Sequence, residues 1–269
     1  EIAGFSFYLP GAGLGVEGAA LGTALALLVT ALLMLYFLCF RSPELGLRHR
    51  REKLFFTGDC LHRAFRIGLP MGCERIIMCG AQIMSTVIVA PLGIYAIAAN
   101  AFAITAESLC YMPGYGIADA ATTLVGQSLG AKRHDLARSF ARITVVMGMA
   151  VMTVMGAIMY LAAPLMIGVM TPVPEVVSLG VSILRIEAFA EPMFAAAIVA
   201  YGVFIGAGDT LVPATMNFVS IWAVRLTLAA LLAPSMGLHG VWIAMCIELC
   251  FRGMIFLARM KWGRWIKRL

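Results

Sequence analysis

Apolar residues run in seven long stretches, at about 15–40, 64–90, 95–125, 140–166, 178–205, 211–233 and 238–258, with polar and charged residues gathered between them. At 1.5 Å rise per residue, each stretch is long enough to cross a hydrocarbon core of about 30 Å. A backbone surrounded by lipid has to satisfy its own hydrogen bonds, so these segments are predicted to be helices rather than sheets. The expected fold is therefore all-α: a polytopic membrane protein with seven transmembrane helices. Composition agrees, because 62% of the residues are hydrophobic and 13% charged, whereas a soluble domain is about half apolar and a quarter charged.

The formal net charge is +6, but its distribution points away from nucleic acid. Basic residues concentrate in the linker "RSPELGLRHRREKLFFTGDCLHR", in "GAKRHDLARSFAR" and in the tail "ARMKWGRWIKRL". The connections around "APLGIYA", "TPVPEVVS" and "PSMGLHG" contain no Lys or Arg. Short loops rich in Lys and Arg stay cytoplasmic, so the chain is expected to start outside and end inside, as a multi-pass protein of a cell membrane. Only "GAGDTLVP" is an inside loop without a basic residue. Six of the seven cysteines lie in or beside apolar stretches and Cys60 lies in the cytoplasmic linker, a reducing compartment, so no disulfide is expected.

One device occurs twice. Aligning Gly15 with Gly237 also pairs Gly18 with Gly240, Val16 with Leu238, Ala19 with Val241 and Leu21 with Ile243. Both copies enter their helices from the outside, and six helices separate them. An even number preserves direction, as a parallel repeat of six helices would, and such duplications are common in secondary transporters. The opening "EIAGFSFYLPG" has neither an initiator Met nor a charged leader. The expected parent is a two-lobe protein of twelve helices and about 440 residues. Here residues 1–40 would be the last helix of the N-terminal lobe, 41–63 a basic cytoplasmic linker, and 64–269 the C-terminal six-helix lobe with its tail.

Four strings, "RIGLPMGCERIIMCGAQIMSTVIVAPLGIYAIAANAFAI", "MPGYGIADAATTLVGQSLGAKRHDLAR", "YGVFIGAGDTLVP" and "GLHGVWIAMCIELCFRG", carry a resemblance over nearly the whole chain. In order and spacing the chain resembles the multidrug and toxic compound extrusion (MATE) family, most specifically in "TLVGQSLGA", "GAGDT" and "GLHGVW". The resemblance implies a twelve-helix antiporter with two six-helix lobes around a central cavity. Such a protein exports hydrophobic or cationic small molecules against a sodium or proton gradient, by alternating access and without a cofactor. Its implied partners are organic cations, the lipid bilayer and the missing N-terminal lobe.

Six carboxylates fall inside apolar stretches: Glu74, Glu107, Asp119, Glu187, Glu191 and Glu248. Each costs a few kcal/mol at the bilayer centre unless it faces a cavity or a partner. Glu74 lies about 15 Å from the inner end of its helix, and Pro70 nearby removes a backbone hydrogen bond and can bend that helix. Arg75 points about 100° away from it and is a poor partner. Glu191 precedes Pro192, so a bent helix again presents an acid, with Glu187 one turn away on the same face. Glu74, Glu187, Glu191 and Glu107 are the expected acids of a substrate or coupling-ion cavity. In well-known family members the corresponding acids fall where this chain has Met78 and a position near Phe194, so the family's sodium site is not carried over.

Glu248 and Arg252 are four apart and can pair within one helix. Arg225, at about 12 Å depth, lies close to the level of Glu187 and Glu248. Arg225, Glu248 and Arg252 are therefore expected to form a structural intramembrane charge cluster. Gln82, Asn100 and Asn217 read as interhelical hydrogen-bonding residues. Pro113, Gly114 and Gly116 together predict a kink or an unwound turn. Phe102, Tyr111, Phe194, Tyr201 and the 18 methionines suit an adaptable apolar pocket, while Trp262 and Trp265 beside the basic tail read as an interfacial anchor. No enzyme motif or metal-ligand spacing is present: His134 and Asp135 are adjacent but lack a nucleophile, and His49, His62 and His239 are scattered. Two other functions remain open at this stage, a lipid-linked saccharide flippase of related fold and a seven-helix receptor.

Overall fold

The computed structural model describes residues 15–41, 58–262 and 265–266, and every described element is helical. The chain divides into two units, Glu1–Leu61 and His62–Leu269. In the first, α1 (Gly15–Tyr36) continues into a π-helical turn at Phe37–Arg41. Most of the linker expected at 41–63 lies outside the described residues, and its last part is already helical, since α2 (Gly58–Val89) begins at Gly58. The helix runs on through position 70.

In the second unit a 3₁₀ turn, Ala90–Leu92, leads into α3 (Ile94–Gly130), and a three-residue turn joins α3 to α4 (His134–Met170). The fifth apolar stretch is two helices, α5 (Pro174–Glu187) and α6 (Glu191–Gly206), bent by 59° at the intervening break. The sixth combines α7 (Leu211–Val219), a π-helical segment at Ser220–Leu226 and α8 (Thr227–Met236). The last is α9 (Leu238–Trp262). Six helical stretches are each long and apolar enough to cross a membrane, and the bent pair counts as a seventh if taken as one span.

Pro113 lies inside α3, and the helix runs through it for 37 residues, so the residues Pro113, Gly114 and Gly116 do not unwind it. Gly114 serves packing instead, because a Cβ there would sit 3.3 Å from the sulfur of Met152 on α4. The π-helical segment in the sixth span has no counterpart in the sequence reading.

Helix α6 is the axis of the unit. It is apolar on all sides, as a buried helix should be, with Phe194, Val199, Val203 and Phe204 among its buried side chains. Glycines let neighbouring backbones approach it. A Cβ on Gly202 would lie 2.5 Å from the carbonyl oxygen of Ala118 on α3, and one on Gly253 of α9 would lie 2.5 Å from that of Met193. The Thr122 hydroxyl uses the first contact to donate to Gly202 O at 2.9 Å. Small residues that bring backbones together are the usual basis of helix association in lipid, where hydrophobic burial offers no driving force.

Helix α2 joins this bundle differently. A small separate apolar cluster holds it, made of Ala81 with Ile221 and Leu226 of the π-helical segment, and Gly80 faces Trp222. Toward its start α2 stands off from α6 and leaves a cavity.

Candidate functional site

The cavity has a volume of about 310 Å³ and lies between α2, α3, α6, α7 and α9. Met71, Met78, Phe194, Ile198 and Ile205 make its apolar wall, and Tyr115, Tyr201 and Asn217 carry its hydrogen-bonding groups. Four charged side chains also line it: Glu74, Asp119, Arg75 and Arg252.

Glu74 is the organised acid. Its carboxylate accepts a short hydrogen bond from the Tyr201 hydroxyl on one oxygen and one from Asn217 Nδ2, at 2.6 Å, on the other. Partners from α6 and α7 thus fix a carboxylate carried by α2, and its neighbour Arg75 takes no part in the arrangement. Asn217 bonds between helices as its residue type suggested, and Asn100 does likewise, accepting from the Trp242 indole at 3.0 Å.

Across the cavity Arg252 is held from behind. Its Nε lies 2.9 Å from Glu248 Oε1 and its Nη2 donates to Oε2 at 3.1 Å. Ser220 donates to Glu248 Oε1 at 2.5 Å, and the guanidinium lies 5.7 Å from the ring centroid of Phe194. The expected pairing of Glu248 with Arg252 is therefore present. Arg225 stands apart from that pair. Its guanidinium reaches the sulfur of Met245, and it makes no ion pair among the described residues. Arg225 lies in the π-helical segment Ser220–Leu226.

Glu107, Glu187 and Glu191 do not line the cavity. All three are buried, at 6%, 1% and 1% exposure, and they share one interior region crossed by the fields of Arg225 and Arg252. Glu187 and Glu191 flank the break between α5 and α6, and neither carboxylate has a hydrogen-bond partner among the described residues. Gly156 of α4 packs against that break, since a Cβ there would lie 2.8 Å from Ala188 O and 3.2 Å from Glu191 Cβ. The four acids grouped by sequence are thus divided: one reaches the cavity and three lie behind it. Tyr201 as a ligand of Glu74, and Arg252 and Arg75 as cavity residues, were not foreseen. The signal available for Arg252 was its partner, because an arginine fixed by a fully buried carboxylate has to project somewhere polar.

No group of three or more His, Cys, Asp or Glu side chains with metal-binding geometry occurs among the described residues. The cavity can do two things chemically. Its acid can attract or exchange a cation, and its aromatic and methionine walls can hold an apolar body.

Comparison with known proteins bears on the family and the fold. The sequence profile of the MatE family matches residues 70–231, more than half of the chain. A probable multidrug resistance protein NorM from Thermotoga maritima is 30% identical over 207 residues, covering 76% of this chain and 44% of that protein. A NorM protein of Brucella suis is 30% identical over 245 residues (86% and 50%), and the multidrug resistance protein MdtK of Edwardsiella ictaluri is 28% identical over 239 (86% and 52%). The chain spans about half the length of the curated relatives it matches. Among solved structures, a MATE protein in complex with MaL6 superposes with a TM-score of 0.83 at 20% identity, over 93% of this chain and 57% of its own. An outward-facing multidrug resistance MATE transporter gives 0.83 at 20% identity over 93% and 56%. These two likenesses show the fold.

Proposed function

The chain belongs to the MatE family, and from that premise we propose that it supplies one lobe of a secondary antiporter that exports hydrophobic or cationic small molecules. In this reading residues 64–269 form the C-terminal six-helix lobe and α1 the last helix of the lobe before it. Export is coupled to a proton or sodium gradient and proceeds by rocking of the two lobes around a shared cavity, in a cell membrane with the C-terminus on the cytoplasmic side. Membership of this family argues against the seven-helix receptor.

The observation that carries the proposal is Glu74. A carboxylate is costly within a membrane unless it has a role or a partner. Here it reaches a cavity walled by methionines and aromatic rings, where two neutral donors hold it and it makes no ion pair among the described residues. Such an acid can bind an organic cation or a coupling ion and release it when its donors move. Tyr201 and Asn217 lie on different helices from Glu74, so any displacement of α2 against α6 and α7 changes how the acid is solvated. Ion occupancy at Glu74 is thereby linked to helix movement within this lobe.

The test is Glu74→Gln in cells expressing the full-length transporter. The substitution keeps size and polarity and removes the charge, and neutralising a membrane carboxylate lowers the cost of insertion. Membrane abundance is expected to stay near normal while efflux of ethidium falls, or loses its dependence on the gradient. Undiminished, gradient-dependent efflux at normal abundance would remove Glu74 from the mechanism and leave Glu187 and Glu191 as the acids to examine.

A further inference from the structure

A second, larger cavity lies where the start of α4 meets the end of α9. It has a volume of about 480 Å³ and no acidic residue in its lining. Arg138, Arg142 and Lys261 line it together with Trp262, Trp265 and Ile266. Arg138 and Arg142 are four residues apart on one helix and project to the same face. None of the three cations has an ion pair or side-chain hydrogen bond among the described residues; the ion pairs found there join Arg252 with Glu248 and Arg259 with Asp209.

The level of this cavity in the membrane follows from the helices that build it. Arg142 is the last charged residue of α4, and the remainder of that helix to Met170 contains no Asp, Glu, Lys or Arg. Lys261 and Trp262 close α9. The cations therefore stand where the apolar runs end, at the boundary between hydrocarbon and water. Trp262 is 74% exposed, whereas Trp265 is 2% exposed. The Trp265 indole donates to Met260 O at 3.2 Å, and its ring meets Phe204 edge-on at 6.1 Å. The floor is thus fixed and apolar, with its polar atom already satisfied, and the rim is cationic.

We propose that this cavity binds the phosphodiester headgroup of an anionic membrane lipid, phosphatidylglycerol being the simplest example. Guanidinium groups match the oxygens of a phosphate, and basic pockets between transmembrane helices are a common form of anionic headgroup site. The Trp265 floor and Ile266 accept the glycerol and upper acyl region, and the exposed Trp262 ring lies at headgroup level, where indoles concentrate. A zwitterionic phosphatidylcholine would bring its choline cation toward three positive side chains and is disfavoured.

The experiment places the full chain in bilayers containing lipid brominated near the glycerol, either phosphatidylglycerol or phosphatidylcholine at equal mole fraction. Tryptophan quenching is read as the difference between the chain and its Trp262→Phe variant. Phosphatidylglycerol is expected to be preferred by at least about fivefold, the worth of a single cation near an anionic surface. The preference should fall toward parity in Arg138→Gln/Arg142→Gln/Lys261→Gln. It should also fall in the unmodified chain when salt is raised from about 0.1 M to 1 M, which shortens the screening length from about 10 to 3 Å. The salt arm needs no variant to fold. Equal quenching by the two lipids, or a preference unchanged by salt, overturns the proposal. So does abolition of the preference by millimolar inorganic phosphate beyond the effect of sodium chloride at matched ionic strength, since the site would then be one for free anions.

Discussion

Replacing Arg252 by Met isolates the energetic role of the ion pair behind the cavity. The methionine keeps an unbranched stem against Phe194 but removes both contacts to Glu248, at 2.9 and 3.1 Å. Glu248 is 0% exposed, so water cannot replace the lost partner, and only the Ser220 hydroxyl remains to it. Breaking a buried pair in this way costs about 3–5 kcal/mol in soluble proteins. Ser220→Ala removes one interhelical bond of a kind that averages about 0.6 kcal/mol in membrane proteins. For a unit of this size each kcal/mol moves the unfolding midpoint by about 2–4 °C. Arg252→Met should therefore lower Tm by roughly 6–20 °C and Ser220→Ala by roughly 1–3 °C. The decisive comparison is Glu248→Gln/Arg252→Met, which removes the stranded charge and should recover much of the loss. Thermal unfolding in detergent, followed by circular dichroism, measures all three. The reasoning fails if Arg252→Met stays within about 2 °C of the parent, a change of under about 1 kcal/mol, or if the double variant is no more stable than the single one.

Gly202→Val should prevent α3 and α6 from closing, because its first side-chain carbon would lie 2.5 Å from Ala118 O; the expected loss is at least the 1–3 kcal/mol typical of overpacking, read as reduced folded protein in the membrane. In a cysteine-free background, an impermeant thiol reagent should label a cysteine at position 134 from the cytoplasm and one at position 172 from outside, and the reverse pattern would invert the orientation inferred from Lys and Arg. Reconstituted alone in vesicles, the chain should show no gradient-driven efflux of ethidium, since alternating access needs an opposing lobe; robust efflux would remove the two-lobe requirement.

The spans were legible because a membrane imposes length and hydropathy on each of them, and the bend of the fifth stretch because Pro192 has no backbone N–H to continue the helix. The i, i+4 spacing was enough to pair Glu248 with Arg252, since both partners lie on one helix. For Arg225 such counting gives depth but no partner. Residue rise gives depth along a helix, but rotation about the helix axis depends on packing, and the π-helical turn at Ser220–Leu226 changes that rotation without an obvious residue signature. The surroundings of Glu74 were hidden for a related reason: its partners are 127 and 143 residues away in the chain, and nothing local to Glu74 selects them. Conversely, Pro113 and its neighbouring glycines suggested an unwound turn, and α3 stays helical through them.

The hairpin of α3 and α4 has a practical consequence. Each helix contains 37 residues, which at 1.5 Å per residue is about 55 Å, while the hydrocarbon core accounts for about 30 Å. Residues 126–130 of α3 and 134–139 of α4, about 8–9 Å of each helix, extend beyond the apolar stretches at the Ala131–Arg133 turn, where the charged residues gather, so the two antiparallel helices end together at the water boundary. A soluble helical protein spliced into that turn through both helices would continue them as a stiff double strut rather than a swivelling single linker. It would give this helical bundle a rigid alignment marker for electron cryomicroscopy.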